Sequence, residues 1–180
     1  IVATQGRGYW ILDDLPVLRQ QAGGLNTQEL QLYTPGIVHR LIAGSRGENT
    51  PGAGTNPHPG VSLFYHLPED VSSPETLSLS VFHSGDDTPI WTWTGKPDSA
   101  GEAAPATDEV DTKVLATDAG LHRHVWNLEY PGMDRFEGLI LWADMKTGPT
   151  AVPGEYRAEL RHGDERRQVA FTVLADPRSS

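Results

Sequence analysis

Residues 120–132 read Gly-Leu-His-Arg-His-Val-Trp-Asn-Leu-Glu-Tyr-Pro-Gly, the longest β-compatible run in the chain with a glycine stop at each end. Successive side chains of a strand point to opposite faces, so His122, His124, Trp126, Leu128 and Tyr130 share one face while Leu121, Arg123, Val125 and Asn127 share the other. Trp126 therefore falls on a heavily apolar face, and the opposite face is at least half covered. A strand covered on both sides belongs in the middle of a sheet. The runs expected beside it, residues 138–142 and 156–173, follow directly in sequence.

The same period-2 alternation recurs on either side. Val61, Leu63, Tyr65 and Leu67 alternate, as do Leu77, Leu79 and Val81, and residues 90–94 return after a turn at His83-Ser84-Gly85-Asp86. Near the end, Pro153-Gly154 introduces Tyr156, Ala158 and Leu160 on one parity. The turn Arg161-His162-Gly163-Asp164 then sends Val169, Phe171 and Val173 back. From Val61 onward about seven strands are expected, with the turn spacing of an immunoglobulin-like or fibronectin type III-like antiparallel β-sandwich. Residues 100–111, acidic and free of aromatics, read as a surface loop.

The first third is less regular. Residues 1–4 and 9–12 are short strand candidates around Gly6-Arg7-Gly8. Asp14 is placed to cap a helical turn through Val17, Leu18 and Arg19, with Pro16 tolerated in its first turn and Gly23-Gly24 breaking it. Asn26 and Glu29 have capping-box spacing for one or two further turns through Leu32, which Pro35 ends. Residues 44–60, rich in Gly, Pro and Asn, read as a loop. The expected division is an N-terminal segment at 1–14, a linker with short helical turns at 15–60, and a β-sandwich at 61–178.

With 180 residues the chain suits one domain and can bury roughly two thirds of its unfolded surface. The absence of cysteine excludes disulfides and thiolate metal sites. Its 24 acidic against 14 basic residues give a formal charge of −10, a surface that repels phosphate backbones and argues against nucleic acid as a partner. The longest apolar runs are too short to span a bilayer, so no membrane partner is expected. A start at Ile-Val-Ala-Thr without an initiator Met suggests a piece of something larger or a processed product.

Several positions together resemble a known family. Ala3-Thr4-Gln5-Gly6-Arg7-Gly8-Tyr9-Trp10-Ile11-Leu12-Asp13-Asp14 is similar to the end of the last propeller blade in bacterial sortilin-like, BNR-repeat proteins described as glycosyl hydrolases. Leu32, Pro35, Arg40, Leu41 and the Asn56-Pro57-His58-Pro59-Gly60 run leading into Tyr65 resemble the region that follows. Gly120, Arg123, Trp126, Asn127, Leu128 and Tyr130 resemble a G-x-x-R-x-x-W-D-L-x-Y strand, with Asn127 in place of the usual Asp. Pro153-Gly154-x-Tyr156 and Asp176-Pro177-Arg178 resemble the closing hairpin. The resemblance implies a C-terminal module whose residues 1–14 belong to the end of a preceding propeller, with Arg7, Tyr9, Trp10, Asp13 and Asp14 packing between domains.

No residues suggest catalysis. A glycosidase needs two carboxyl groups held across a sugar, about 5 to 10 Å apart, whereas Asp13 and Asp14 are adjacent and diverge if extended. Asp86-Asp87 lies in a turn, where Asp is common for local hydrogen bonding. His122 and His124 supply one half of a metal site without a third ligand at diagnostic spacing. Trp91 and Trp93 project from one face and form a sugar-stacking platform if exposed, or core if buried. No nucleophile elbow, phosphate loop or dinucleotide fingerprint is present.

The expected function is a non-catalytic accessory module that packs on a propeller of the same polypeptide, without a cofactor or metal, exported to the periplasm or beyond. A carbohydrate-binding module using Trp91 and Trp93 is the first alternative. A module that lends residues to the parent's glycosidase site is the second.

Overall fold

A computed structural model describes residues 2–4, 8–10, 12, 14–24, 26–41, 59–95, 114–132 and 148–178. The expected strand at 138–142, the loop at 100–111, most of the loop at 44–60, and Arg7 and Asp13 lie outside the described residues. In chain order the elements are β1 (Val2–Thr4), β2 (Gly8–Trp10), α1 (Leu15–Ala22), β3 (Gln31–Leu32), β4 (Val38–Arg40), β5 (Val61–Leu67), β6 (Leu77–His83), β7 (Trp91–Thr94), β8 (Gly120–Trp126), β9 (Gly154–His162) and β10 (Glu165–Ala175). A 3-10 turn, Pro74–Thr76, precedes β6. The described chain is thus mostly β, as the alternating patterns predict.

Two sheets share one core. A five-stranded sheet runs β4-β10-β9-β6-β7, and a three-stranded sheet runs β3-β5-β8. All pairings within them are antiparallel except β4 with β10, which is parallel. Strands β1 and β2 pair with each other in a small hairpin.

β8 sits differently from its expectation. Its partner is β5, with Val61 opposite Trp126, Leu63 opposite His124 and Tyr65 opposite His122, while residues 156–173 belong to the other sheet. Alternation states which residues share a face, but it carries no information on which strand lies alongside. β8 also stops at Trp126. Asn127 Oδ1 accepts the Glu129 backbone N–H at 3.1 Å, and Leu128 takes a left-handed φ of 64°, so the chain turns there instead of extending to Tyr130.

The segment read as a linker supplies one strand to each sheet: β3 pairs with β5, and β4 pairs with β10. Asn26 forms an Asx-turn, its Oδ1 accepting the Gln28 N–H at 3.1 Å, so the expected second helix is a turn into β3. Strands of two and three residues are too short to display an alternation.

The core lies between the sheets. Leu63, Tyr65 and Trp126 from one face meet Leu79, Val81, Tyr156, Leu160, Phe171 and Val173 from the other. Three rings bridge the layers: Trp126 lies 5.4 Å from Tyr156 and 6.5 Å from Phe171, while Tyr156 and Phe171 stack at 5.8 Å. Each such pair contributes about 0.5 to 1.5 kcal/mol beyond burial. The Tyr156 hydroxyl donates to the Val152 carbonyl at 2.6 Å, and burial, followed by neighbouring Tyr130, raises its pKa to about 12. Within the three-stranded sheet β5 and β8 approach closely at Gly60, where φ is 122° and a Cβ would meet the Trp126 carbonyl at 2.2 Å.

Candidate functional site

The N-terminal helix is mounted on the outer face of the three-stranded sheet. Pro16 lies in its first turn, and Val17 is its buried residue. Val17 packs with Tyr33 and Phe64 in a small apolar cluster separate from the main core. Phe64 faces outward because Leu63 and Tyr65, its neighbours along β5, face the core.

Polar contacts hold the helix in place. Gln20 Oε1 accepts the Thr34 N–H at 2.9 Å, and Gln20 Nε2 donates to the Thr34 carbonyl at 2.9 Å and to the Pro16 carbonyl at 3.1 Å. A side-chain amide here pairs with a backbone amide as a neighbouring strand would. Asp14 occupies the N-cap position but makes no side-chain cap bond. Its carboxylate instead lies 3.8 Å from the guanidinium of Arg123, which stands opposite Phe64 on β8. Between the helix start and the sheet opens a cleft of about 250 Å³ lined by Asp14, Val17, Ile37, Gly60 and Phe64 among others. Of its lining residues Ile37 is 82% exposed, and Leu12, Leu15 and Leu18, before and along the helix, are exposed as well.

Of the residues expected to pack between domains, Asp14 is the one whose side chain is described. Tyr9 and Trp10 are placed only as backbone in β2, paired with Ala3 and Val2.

Trp91 and Trp93 do share one face, and their rings stack at 6.0 Å with 16° between planes. That face is the inner one. Trp93 is 8% exposed and lies 4.5 Å from the His124 ring, while Trp91 is partly buried against the core. Trp91 Nε1 donates to the Glu129 carbonyl at 2.6 Å, and Trp126 Nε1 donates to the same oxygen at 3.0 Å. A stacking platform needs two rings open to solvent, and burial leaves Trp93 almost none.

The remaining candidates are spread apart. His122 Nε2 lies 2.6 Å from the Asp118 carbonyl, and His124 is buried beneath Trp93. Asp86 and Asp87 sit at the far end of β6 beside Arg157. Among the described residues no group of three or more His, Asp or Glu side chains is close enough to hold a metal ion.

A charged cluster that the sequence reading passes over lies on the outer face of the five-stranded sheet. Glu159 is buried and accepts hydrogen bonds from Arg161 Nε, from an Arg166 guanidinium nitrogen at 2.6 Å and from Gln168 Nε2 at 2.5 Å. Burial alone would push its carboxyl up, but the hydrogen bonds from Arg161, Arg166 and Gln168 outweigh it and hold the group below its ordinary range. The signal was present as parity: Arg157, Glu159 and Arg161 alternate with the apolar set on β9, and Arg166 and Gln168 do so on β10.

Comparison with known proteins adds no relative. No family model, no characterised protein and no solved structure matches this chain.

Proposed function

We propose that this chain is a non-catalytic accessory module of a larger propeller-type, BNR/sortilin-like glycosyl hydrolase, exported with its parent and packed against the propeller of the same polypeptide. The observation that carries the reading is the mount of α1. The Gln20 pairing and the Val17–Tyr33–Phe64 contact fix the helix on the sheet while Leu12, Leu15, Leu18 and Ile37 stay exposed around it. Leu12 is itself among the residues that resemble the end of a blade, Leu15 and Leu18 follow them directly in sequence, and exposed apolar side chains there suit contact with another domain.

The module's finer class is the immunoglobulin-like or fibronectin type III-like sandwich. Strand order supports it: β3-β5-β8 faces β4-β10-β9-β6-β7, with β4 pairing parallel to the last strand. Tyr156, near the start of β9, donates its hydroxyl to a carbonyl four residues upstream, as the tyrosine corner of that class does.

Hydrogen exchange tests the function. Joined to the proposed propeller, the amides of residues 12–20 and 36–38 are expected to exchange more slowly than in the chain alone. Equal exchange in both, or turnover of aryl-glycosides by the chain alone, overturns the reading.

A further inference from the structure

The outer face of the five-stranded sheet carries more positive charge than its one buried carboxylate requires. Arg166 stands directly opposite Arg161 across the β9–β10 pair, an arrangement that like-charge repulsion disfavours. Arg157, the third arginine, reaches Glu159 at 3.6 Å but makes its closest contact away from the pair. It donates to the Asp86 carbonyl at 2.7 Å, lies 3.8 Å from Asp87, and places its guanidinium 3.9 Å over the Phe82 ring. Three guanidiniums thus share Glu159 and the exposed Asp87, and a net charge of about +1 stays on this face in a chain whose formal charge is −10.

Geometry prepares that charge for a ligand. Both guanidiniums are tethered to the same carboxylate, so their directions are fixed, while their side chains remain 55% and 50% exposed. Arg161 donates through Nε alone and Arg166 through one terminal nitrogen among the described residues. Each guanidinium carries five N–H donors, so both keep a free edge turned away from Glu159.

Hydroxyls continue the face. Ser78 is registered with Arg161, and two pairs further along the strands Thr92, Ser80, Glu159 and Gln168 form a row across four strands. That row spans about 14 Å at the usual strand spacing. Ser80 Oγ and Thr92 Oγ1 are 2.9 Å apart. The face thus offers hydroxyl partners at one side and oriented guanidiniums at the other.

We propose that Arg161 and Arg166 form a carboxylate-binding site for an acidic saccharide, with the adjoining hydroxyl row of Ser78, Ser80 and Thr92 meeting the sugar hydroxyls. Glu159 is the positioning residue that holds both arginines. The choice of a saccharide rests on the accessory-module reading, whereas the anion site itself rests on the charge and geometry of this face.

Calorimetric titration of the whole chain at low salt tests it, with trigalacturonate, neutral maltotriose and sodium sulfate as probes. Trigalacturonate is expected to bind, to weaken as salt is added, and to bind at least tenfold more weakly to the Arg161→Gln/Arg166→Gln variant. Maltotriose is expected to give no heat. Competition by sulfate marks a general oxyanion site, and lack of competition marks one that needs the saccharide; both support the proposal when trigalacturonate binds. Absence of trigalacturonate binding, or binding undiminished in the variant, overturns it. Should the double variant fail to fold, Arg161→Lys/Arg166→Lys keeps both charges and removes the forked geometry, with an intermediate loss expected and unchanged affinity counting against the site. Because the proposed propeller takes no part in this titration, its failure leaves the packing proposal standing, and the reverse holds as well.

Discussion

On the outer face of the three-stranded sheet Phe64 is closed under Val17 and Tyr33, whereas on the outer face of the five-stranded sheet Glu159 is closed under Arg161, Arg166 and Gln168. Both side chains are largely shielded from water, and both lie on strands whose alternate residues fill the shared core. The difference is in what does the shielding. An apolar outer residue demands another element of chain, and α1 meets that demand. A charged one is satisfied by long side chains from its own and the next strand, so among the described residues no further layer is recruited over it.

The largest way to break this comparison is Phe64→Ala. Removing the ring empties the contact that seats α1, at a cost of about 3 to 5 kcal/mol, measurable as a lower urea midpoint. A loss under about 1 kcal/mol would mean the helix is held by its polar contacts alone.

The matching change on the other face is Glu159→Ala, which leaves Arg161 and Arg166 facing each other without their counter-charge. A loss of about 1 to 3 kcal/mol is expected near neutral pH. The effect depends on pH with a definite sign. Since the folded state lowers the Glu159 pKa below its ordinary 4.5, its stabilisation is full above that pH and is lost as pH falls through the lowered folded value. Acid unfolding curves of wild type and variant should therefore converge at the acidic end. Curves that stay parallel down to the lowest pH would show that ionisation of Glu159 is irrelevant to its role.

Gln20→Ala separates the polar from the apolar share of the helix mount. Losing the two hydrogen bonds to Thr34 at an exposed position is expected to cost about 1 kcal/mol, with faster exchange of the Thr34 amide as the local readout. Unchanged exchange at Thr34 would assign the mount entirely to Val17 and Phe64.

Smallest of all is Tyr33→Phe. The Tyr33 hydroxyl is buried without a hydrogen-bond partner among the described residues, so its removal should leave stability unchanged or raise it by up to about 1 kcal/mol. A clear drop in the thermal midpoint would reveal a partner that the apolar description of this face omits.

Much of the framework was legible in the residues. Alternation at Val61-x-Leu63-x-Tyr65-x-Leu67 and at Tyr156-x-Ala158-x-Leu160 marks the faces that meet in the core, because a strand has no other way to segregate its side chains. The helix at Pro16 and Val17 was legible from its proline and the glycines that end it. Asp14 as a side-chain cap was a reasonable local reading that tertiary contact displaced, since Arg123 from a distant strand offers its carboxylate a charged partner. The Glu159 cluster was available as parity but not as a site. Charged residues at alternate positions look the same whether they are solvated singly or gathered around one carboxylate.

Local patterning carried the periodicity of this protein: mostly β, a short helix after Asp14, a core built from the Trp126 and Tyr156 parities, and a formal charge of −10. Packing between distant segments set the pairing of β8 with β5, the division of residues 31–40 between the sheets, and the burial of Trp93 under its neighbours. The physical reason is one of range. Face and turn are set by bonds and sterics within a few residues, whereas strand partners and burial are set by contacts between segments far apart in the chain, which compete until the core closes.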